Sequence, residues 1–188
     1  MANIRERKLP GTKKNTALAE LLRVDHAGEF GAQQIYAGQM RILKDRPELQ
    51  HMAEQEAEHL AFFDEALKTH RIRPTLLHPL WRLGAYALGL GTAALGPRAA
   101  HTCTHAVEDT IETHYQEQLD YLNSSAAGNL NSRLRNDLIA AITRFRNEEL
   151  EHRDLALEQG AQELSYHPQL YRLVAAITKG AIALSKKI

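Results

Sequence analysis

Apolar residues recur at intervals of three and four along most of the chain. No run alternates Val, Ile and Thr with polar residues between turn signals. The pattern predicts an all-α protein. A first helix is expected from about Asn15 to Lys44, with Asp45-Arg46-Pro47 making the turn. The second runs from Pro47, whose fixed φ suits a first helical residue, to about His70. An apolar, glycine-bearing segment follows Pro74. Further helices are expected from about Pro97 to Leu122, from beyond a Ser/Gly/Asn loop at Asn123 to Asn129 as far as about Gln159, and after Pro168. The pattern is two helical hairpins joined by an apolar segment that must run the length of a bundle.

Each long helix carries a glutamate in the middle of its apolar stripe. The second gives Leu49, Met52, Glu56, His59, Leu60, Phe63 and Leu67; the fifth gives Leu138, Ile142, Phe145, Glu149, His152 and Ala156. The first gives Leu18, Leu22, Asp25, Glu29, Tyr36 and Met40, and the fourth Glu108, Ile111, Tyr115, Leu119 and Leu122. Glu-x-x-His occurs three times where chance placement gives about one, so spacing alone is weak and facing decides. Glu48 and His51 share a polar face with Gln55 and Glu58, and His51 is expected at the surface. Glu148 falls off the stripe of its helix.

Four converging buried carboxylates would each cost several kcal/mol if unpaired, and they would repel one another. Arg23, Arg144 and Arg146 do not account for all four. Two divalent ions do, since four negative charges then meet four positive ones. Carboxylates mixed with imidazoles suit iron or manganese. One Glu from each of two helices, with Glu-x-x-His from each of two others, is the ligand set of ferritin-like two-metal bundles. Two iron ions per chain are therefore expected on Glu29, Glu56, His59, Glu108, Glu149 and His152, which form the candidate metal and catalytic set. His26 and His105, one turn before their glutamates, and Glu112, on the face of Glu108, rank below them. Asp25 is expected to accept the proton of a ligand imidazole, with a salt bridge to Arg23 or a lysine as the alternative.

Lys plus Arg and Asp plus Glu both total 23, so no overall charge attracts nucleic acid or an anionic membrane. Any membrane affinity must be local. The single Cys103 excludes an internal disulfide framework and Cys-x-x-Cys metal sites, and fits a reducing setting. The length suits one domain over 15–188, preceded by a flexible basic arm over 1–14 with no apolar stretch like that of a secretory signal. From Leu83 to Gly96 the chain has no charge but is too short to span a bilayer, which takes about 20 residues. With Trp81 and Arg82 at its start, it suits a helix lying at a membrane surface, touching it through Leu88 and Leu90, or one packed on the bundle. The final helix adds Leu173, Val174, Ile177, Ile182 and Leu184 with Lys179, Lys186 and Lys187, suiting membrane docking or bundle closure. Gly89-Leu90-Gly91-Thr92-Ala93-Ala94 matches a dinucleotide fingerprint, but no strand precedes it, so that reading fails.

The runs Leu22-Arg23-Val24-Asp25-His26-Ala27-Gly28-Glu29 and Ile35-Tyr36-Ala37-Gly38-Gln39, with Glu56 to Phe63, Ala106-Val107-Glu108 and Glu148 to His152, closely resemble the demethoxyubiquinone hydroxylase family over about residues 15 to 188. The resemblance points to the same six ligands. It implies a di-iron monooxygenase of ubiquinone biosynthesis that uses dioxygen to hydroxylate the ring of a polyprenyl methoxy-methyl-benzoquinol. One oxygen atom enters the ring and the other leaves as water. The resemblance implies a reductant, for which NADH is the candidate, a membrane surface as partner, and a homo-oligomer or an accessory lipid-binding protein. His114 and Tyr115 become candidates for holding the quinol or relaying electrons and protons. The short N-terminus leads to an expected peripheral location on the cytoplasmic side of a bacterial inner membrane. A ferritin-like iron-oxidising or storage protein and a metal-free quinone- or lipid-binding bundle are the alternatives.

Overall fold

The computed structural model describes residues 16–187. The basic arm over 1–14 lies outside the described residues. Six helices follow one another: α1 (Thr16–Met40), α2 (Pro47–His70), α3 (His78–Ala94), α4 (Pro97–Asn123), α5 (Ser132–Glu158) and α6 (His167–Ser185), with short 3-10 turns at Ser125–Ala127 and Ala161–Glu163. No strand occurs among the described residues. The arrangement is the expected ferritin-like bundle: hairpins α1–α2 and α4–α5 surround the interior, α3 crosses between them, and α6 closes the chain.

Local chemistry sets the helix ends. Pro occupies the first turn of α2, α3, α4 and α6, where its missing N–H costs nothing. Asn131 caps α5 by accepting from the amides of Arg133 and Leu134 at 3.0 and 3.3 Å. The first helix ends at Met40, four residues short of the expected Lys44. The Ile42 amide already reaches back three residues to the Gln39 carbonyl, and Asp45 turns the chain at φ 58° toward Pro47. Between α3 and α4 the chain turns at Gly96, whose φ of 110° suits glycine.

The helix stripes close as read. Leu138, Ile142 and Phe145 of α5, Leu49, Met52 and Phe63 of α2, and Leu22, Tyr36, Tyr115 and Leu122 of α1 and α4 are all buried to within 1%. The crossover helix rests on α1 at backbone distance: a Cβ on Gly38 would strike the Tyr86 carbonyl, and one on Gly89 would strike that of Ile35. Only small residues permit this. Packing buries Gly89, Thr92 and Ala93 of α3 and leaves Leu80, Leu83 and Leu95 at least half exposed. The outward face of the apolar segment is thus not the one expected. Leu88 faces a cavity, and Leu90 is half-buried with its amide against Gly38. No helix among the described residues is long and apolar enough to cross a membrane.

Candidate metal centre

Midway along the bundle two clusters of side chains converge. Glu29, Glu56, His59 and Glu149 place ligand atoms within 4.8 Å of one another, as do Glu56, Glu108, Glu149 and His152. Glu56 and Glu149 belong to both, so the clusters share an edge formed by the two Glu-x-x-His helices. One turn separates each of these glutamates from its histidine, which aims both side chains the same way. All six groups are at most 2% exposed.

The orientation of the histidines is informative. His59 presents Nδ1 inward, 3.3 Å from both Glu29 and Glu149, and points Nε2 at Glu148 Oε2, 2.5 Å away. His152 presents Nδ1 to Glu56 at 3.3 Å and points Nε2 at Gln55 Oε1, 2.8 Å away. Each outer nitrogen thus has a partner on the opposite helix, whereas both inner nitrogens lack a hydrogen bond. Both oxygens of Glu56 and Glu149 and one of Glu108 are also buried without one. Buried polar atoms are rarely left so, and here they all face the shared space. These residues fit a pair of metal ions in donor type, number and direction.

The outer shell is as ordered. Tyr115 Oη donates to Glu29 Oε1, and Tyr36 Oη donates to Glu108 Oε1 at 2.5 Å. Burial, then the charge of the glutamate each tyrosine faces, pushes both phenols well above their usual range, so they stay protonated donors. Burial pushes Glu56 up, reinforced by Glu149 and Glu29, and pushes Glu108 up, reinforced by Glu149. For Glu149 burial is outweighed by the facing imidazoles of His152 and His59, which hold it down to about 2. Burial would lower His59, but Glu149 and Glu29 outweigh it and raise the imidazole to about 11. Without metal, protons take the place of cations, and binding metal must release them.

The other candidates stand elsewhere. His26 bonds Asp64 at 3.1 Å and stacks on His78; His105 meets His167 at 3.2 Å; Glu112 pairs with Arg146 at 2.5 Å. His51 is exposed. Asp25 is buried, but it accepts from Gln118 at 2.5 Å and faces His114 at 3.6 Å rather than a cluster imidazole, and Arg23 bonds the Arg73 carbonyl instead. Neither expectation for Asp25 matches its contacts, because one turn before Glu29 it lies level with the next layer of the bundle. His114 and Gln118 border a small surface pocket with Glu20, Glu117 and Lys186.

Beside the clusters lies a larger cavity of about 560 Å³ between α1, α3, α4 and α6. Its wall includes Gly28 and Val107, the neighbours of Glu29 and Glu108, with Gly31, Leu88, Ile111 and Ile182. Trp81 Nε1 donates to Ser185 Oγ at 3.1 Å, joining α3 to α6 across its rim.

Residues 16–185 match the family model described as ubiquinone biosynthesis protein COQ7. The 3-demethoxyubiquinol 3-hydroxylase of Rhodospirillum rubrum is 43% identical over 188 residues, covering 97% of this chain and 84% of that protein. A rat protein named NADPH-dependent 3-demethoxyubiquinone 3-hydroxylase, mitochondrial, is 43% identical over 174 residues, with 91% and 78% covered. The yeast protein named 5-demethoxyubiquinone hydroxylase, mitochondrial, is 38% identical over 184 residues, with 91% and 78% covered. The chain belongs to this family.

Two residues of this family member escape a reading by helix faces. Glu148 and Gln55 lie off the apolar stripes because an imidazole reaches sideways, past its own helix, to a neighbour. A signal was present: each directly precedes the glutamate of a Glu-x-x-His. The Glu-to-Tyr step of seven residues, repeated from Glu29 to Tyr36 and Glu108 to Tyr115, likewise marks the two phenols.

Proposed function

We propose that the chain is an oxygen-dependent di-iron monooxygenase hydroxylating the ring of 2-polyprenyl-3-methyl-6-methoxy-1,4-benzoquinol, demethoxyubiquinol, in ubiquinone biosynthesis. Glu29, Glu56, His59, Glu108, Glu149 and His152 hold the two irons, Glu56 and Glu149 serving both. The irons supply the chemistry of dioxygen activation. The protein supplies the rest: Tyr36 and Tyr115 fix the terminal carboxylates, Glu148 and Gln55 fix the imidazoles, and the buried setting keeps water from the reacting centre.

One observation favours a hydroxylase over an iron-storing bundle with the same ligands: the apolar cavity adjoining the clusters. A storage site needs a route for ions, whereas this wall is mostly glycine, alanine and aliphatic side chains, with Trp81, Thr178 and Ser185 as exceptions, and suits a methylated, prenylated ring. Leu80 of α3 and Ile177 of α6 line the cavity, and they and Leu83, Leu173 and Leu184 of the same two helices are all about half exposed or more. With Lys186 and Lys187 at the end of α6, these residues favour peripheral docking on a bilayer, from which the substrate enters lengthwise. The reductant is a reduced nicotinamide, NADH by the sequence reading and NADPH by the names of the mammalian relatives.

The test uses isotopically labelled dioxygen, reductant and a demethoxy quinol. One labelled atom is expected as a new ring hydroxyl, and Glu56→Ala abolishes it. Label recovered only in water or peroxide, with the quinol unchanged, would overturn the hydroxylase in favour of an iron oxidase.

A further inference from the structure

The two halves of the chain repeat each other. Glu29 and Glu108, Tyr36 and Tyr115, and His26 and His105 are each 79 residues apart; Glu56 and Glu149, and His59 and His152, are each 93 apart. Their contacts repeat as well. Each tyrosine holds the other half's glutamate, each inner histidine turns its back on the other half's Glu-x-x-His helix, and His26 and His105 stack on His78 and His167, which open α3 and α6. Against so regular a two-fold relation, departures carry information.

Two departures lie near the clusters, and both place their carboxylate on the side of Glu29 and His59. Behind His59 stands a carboxylate, Glu148; behind His152, at the equivalent position, stands the neutral amide of Gln55. Gln118 donates to the carboxylate of Asp25 at 2.5 Å, whereas its counterpart Gln39 donates to the hydroxyl of Thr104 at 3.4 Å and the Ala100 carbonyl at 3.1 Å. Asp25 lies one helical turn before Glu29 and is fully enclosed, its other close partner being His114. Arg144, at 3.7 Å, offsets part of the Glu148 charge from its solvent side, half exposed. The cluster of Glu29 and His59 is therefore backed by the carboxylate of Glu148, with that of Asp25 one helical turn away, where the cluster of Glu108 and His152 has an amide and a hydroxyl.

From this broken symmetry we infer that the two metal positions are unequal: a divalent cation fills the position of Glu29, Glu56, His59 and Glu149 first and more tightly, with Glu148 as the positioning residue that sets the difference. The inference rests on the two-metal reading above. A carboxylate accepting the outer N–H of an imidazole makes its inner nitrogen a stronger donor than an amide oxygen does, because the bond is charge-assisted. Glu56 and Glu149 contribute to both positions and do not discriminate between them. Asp25 adds negative charge to the same side at a longer distance.

Metal-free full-length protein is titrated with Co²⁺ alone, followed by calorimetry and by visible absorption. Two ions per chain are expected in two resolved steps. Glu148→Gln, which preserves shape, should weaken the tighter step by about 10–100-fold and bring the steps together, in line with losses of outer-shell partners elsewhere. Gln55→Glu should tighten the weaker step and narrow the gap from the other side. The double exchange Gln55→Glu with Glu148→Gln should restore two separate steps. A merely structural role for Glu148 would shift the melting temperature of the metal-free protein without this reciprocal pattern. Two ions bound in equal steps, indifferent to both single exchanges, would overturn the inequality and leave the two-metal reading standing. Fewer than two ions in the unaltered protein would overturn that reading and the inference with it. If Glu148→Gln does not fold, Gln55→Glu decides alone: an unchanged gap would sink the inference.

Discussion

The interior of α1, α2, α4 and α5 and the outer pair α3 and α6 solve opposite problems. The interior gathers four glutamates and two histidines where water is excluded, and it fixes their outer atoms with Tyr36, Tyr115, Glu148 and Gln55. The outer pair encloses a mostly apolar space against α1, left open by Gly28 and Gly31 of α1 and Gly84 of α3, beside leucines that face outward. One region is built from side chains in specified places and the other from side chains left out. Changes in the first should remove the metal; changes in the second should leave the metal and remove the substrate or the membrane.

The largest effect should come from a residue serving both clusters. Glu149→Ala is expected to cut iron from two per chain toward none and turnover by more than about 100-fold, since even outer-shell losses cost 10–100-fold in metal affinity. His51→Ala should change neither. Equal iron loss in the two variants would break the assignment by facing.

Chelation should follow in size. At about a thousandfold excess over its dissociation constant, a bound metal stabilises by about 4 kcal/mol, or about 8–16 °C in melting temperature for a chain of this size. The gap should widen as pH rises from about 6 to about 8.5. In the stripped protein His59 holds its proton up to about pH 11, against 6.5 unfolded, so its contribution is complete below 6.5 and is lost as pH climbs toward 11. Glu56 and Glu108, also raised, lose stability in the same direction. Glu149, depressed to about 2, contributes above 4.5 and loses that contribution only in acid. Metal replaces the protons, so the loaded protein escapes the alkaline loss. A gap that shrinks with rising pH would contradict this.

The contrast between the regions also explains what could be read from sequence. Every glutamate of the clusters lay mid-stripe, and a stripe broken by a carboxylate is visible in one dimension. The backing of His59 by Glu148 was not, because it depends on the rotation of one helix against another. The expected role of Asp25 failed for the same reason: it shares the buried face of Glu29 but meets Gln118 and His114 of α4 instead. In α3 the sequence announced an apolar helix, but Leu88 and Leu90, expected to face out, face the cavity and α1 instead. Glycine contacts at Gly38 and Gly89 decide that, and a glycine's lack of bulk says nothing about its neighbour.

Membrane docking should respond to the leucines that packing leaves outward. Leu80→Glu with Leu83→Glu is expected to lower partition onto anionic vesicles by at least about 100-fold, each lost leucine being worth about 1.5–3 kcal/mol. Iron content should hold. The same exchange at Leu88 and Leu90 is a different experiment, because Leu88 lines the cavity. Undiminished binding by the Leu80 and Leu83 variant would move the docking surface to α6.

The smallest effect is the most selective. A Cβ at Gly31 meets nothing within 4 Å, and the residue borders the cavity, so Gly31→Leu should enter open space rather than strike backbone. Replacing a mid-helix glycine stabilises α1 by about 0.5–1 kcal/mol. The new side chain occupies room that the quinol ring or its first prenyl unit requires. The variant should therefore melt higher, keep two irons and lose about tenfold in kcat/KM, equivalent to about 1.4 kcal/mol of binding in the transition state. Stability and activity would then move in opposite directions at one position, as expected if the empty volume is itself functional. Full activity in a stable, iron-loaded Gly31→Leu protein would show that the substrate reaches the metals by another route and that this cavity is a packing defect.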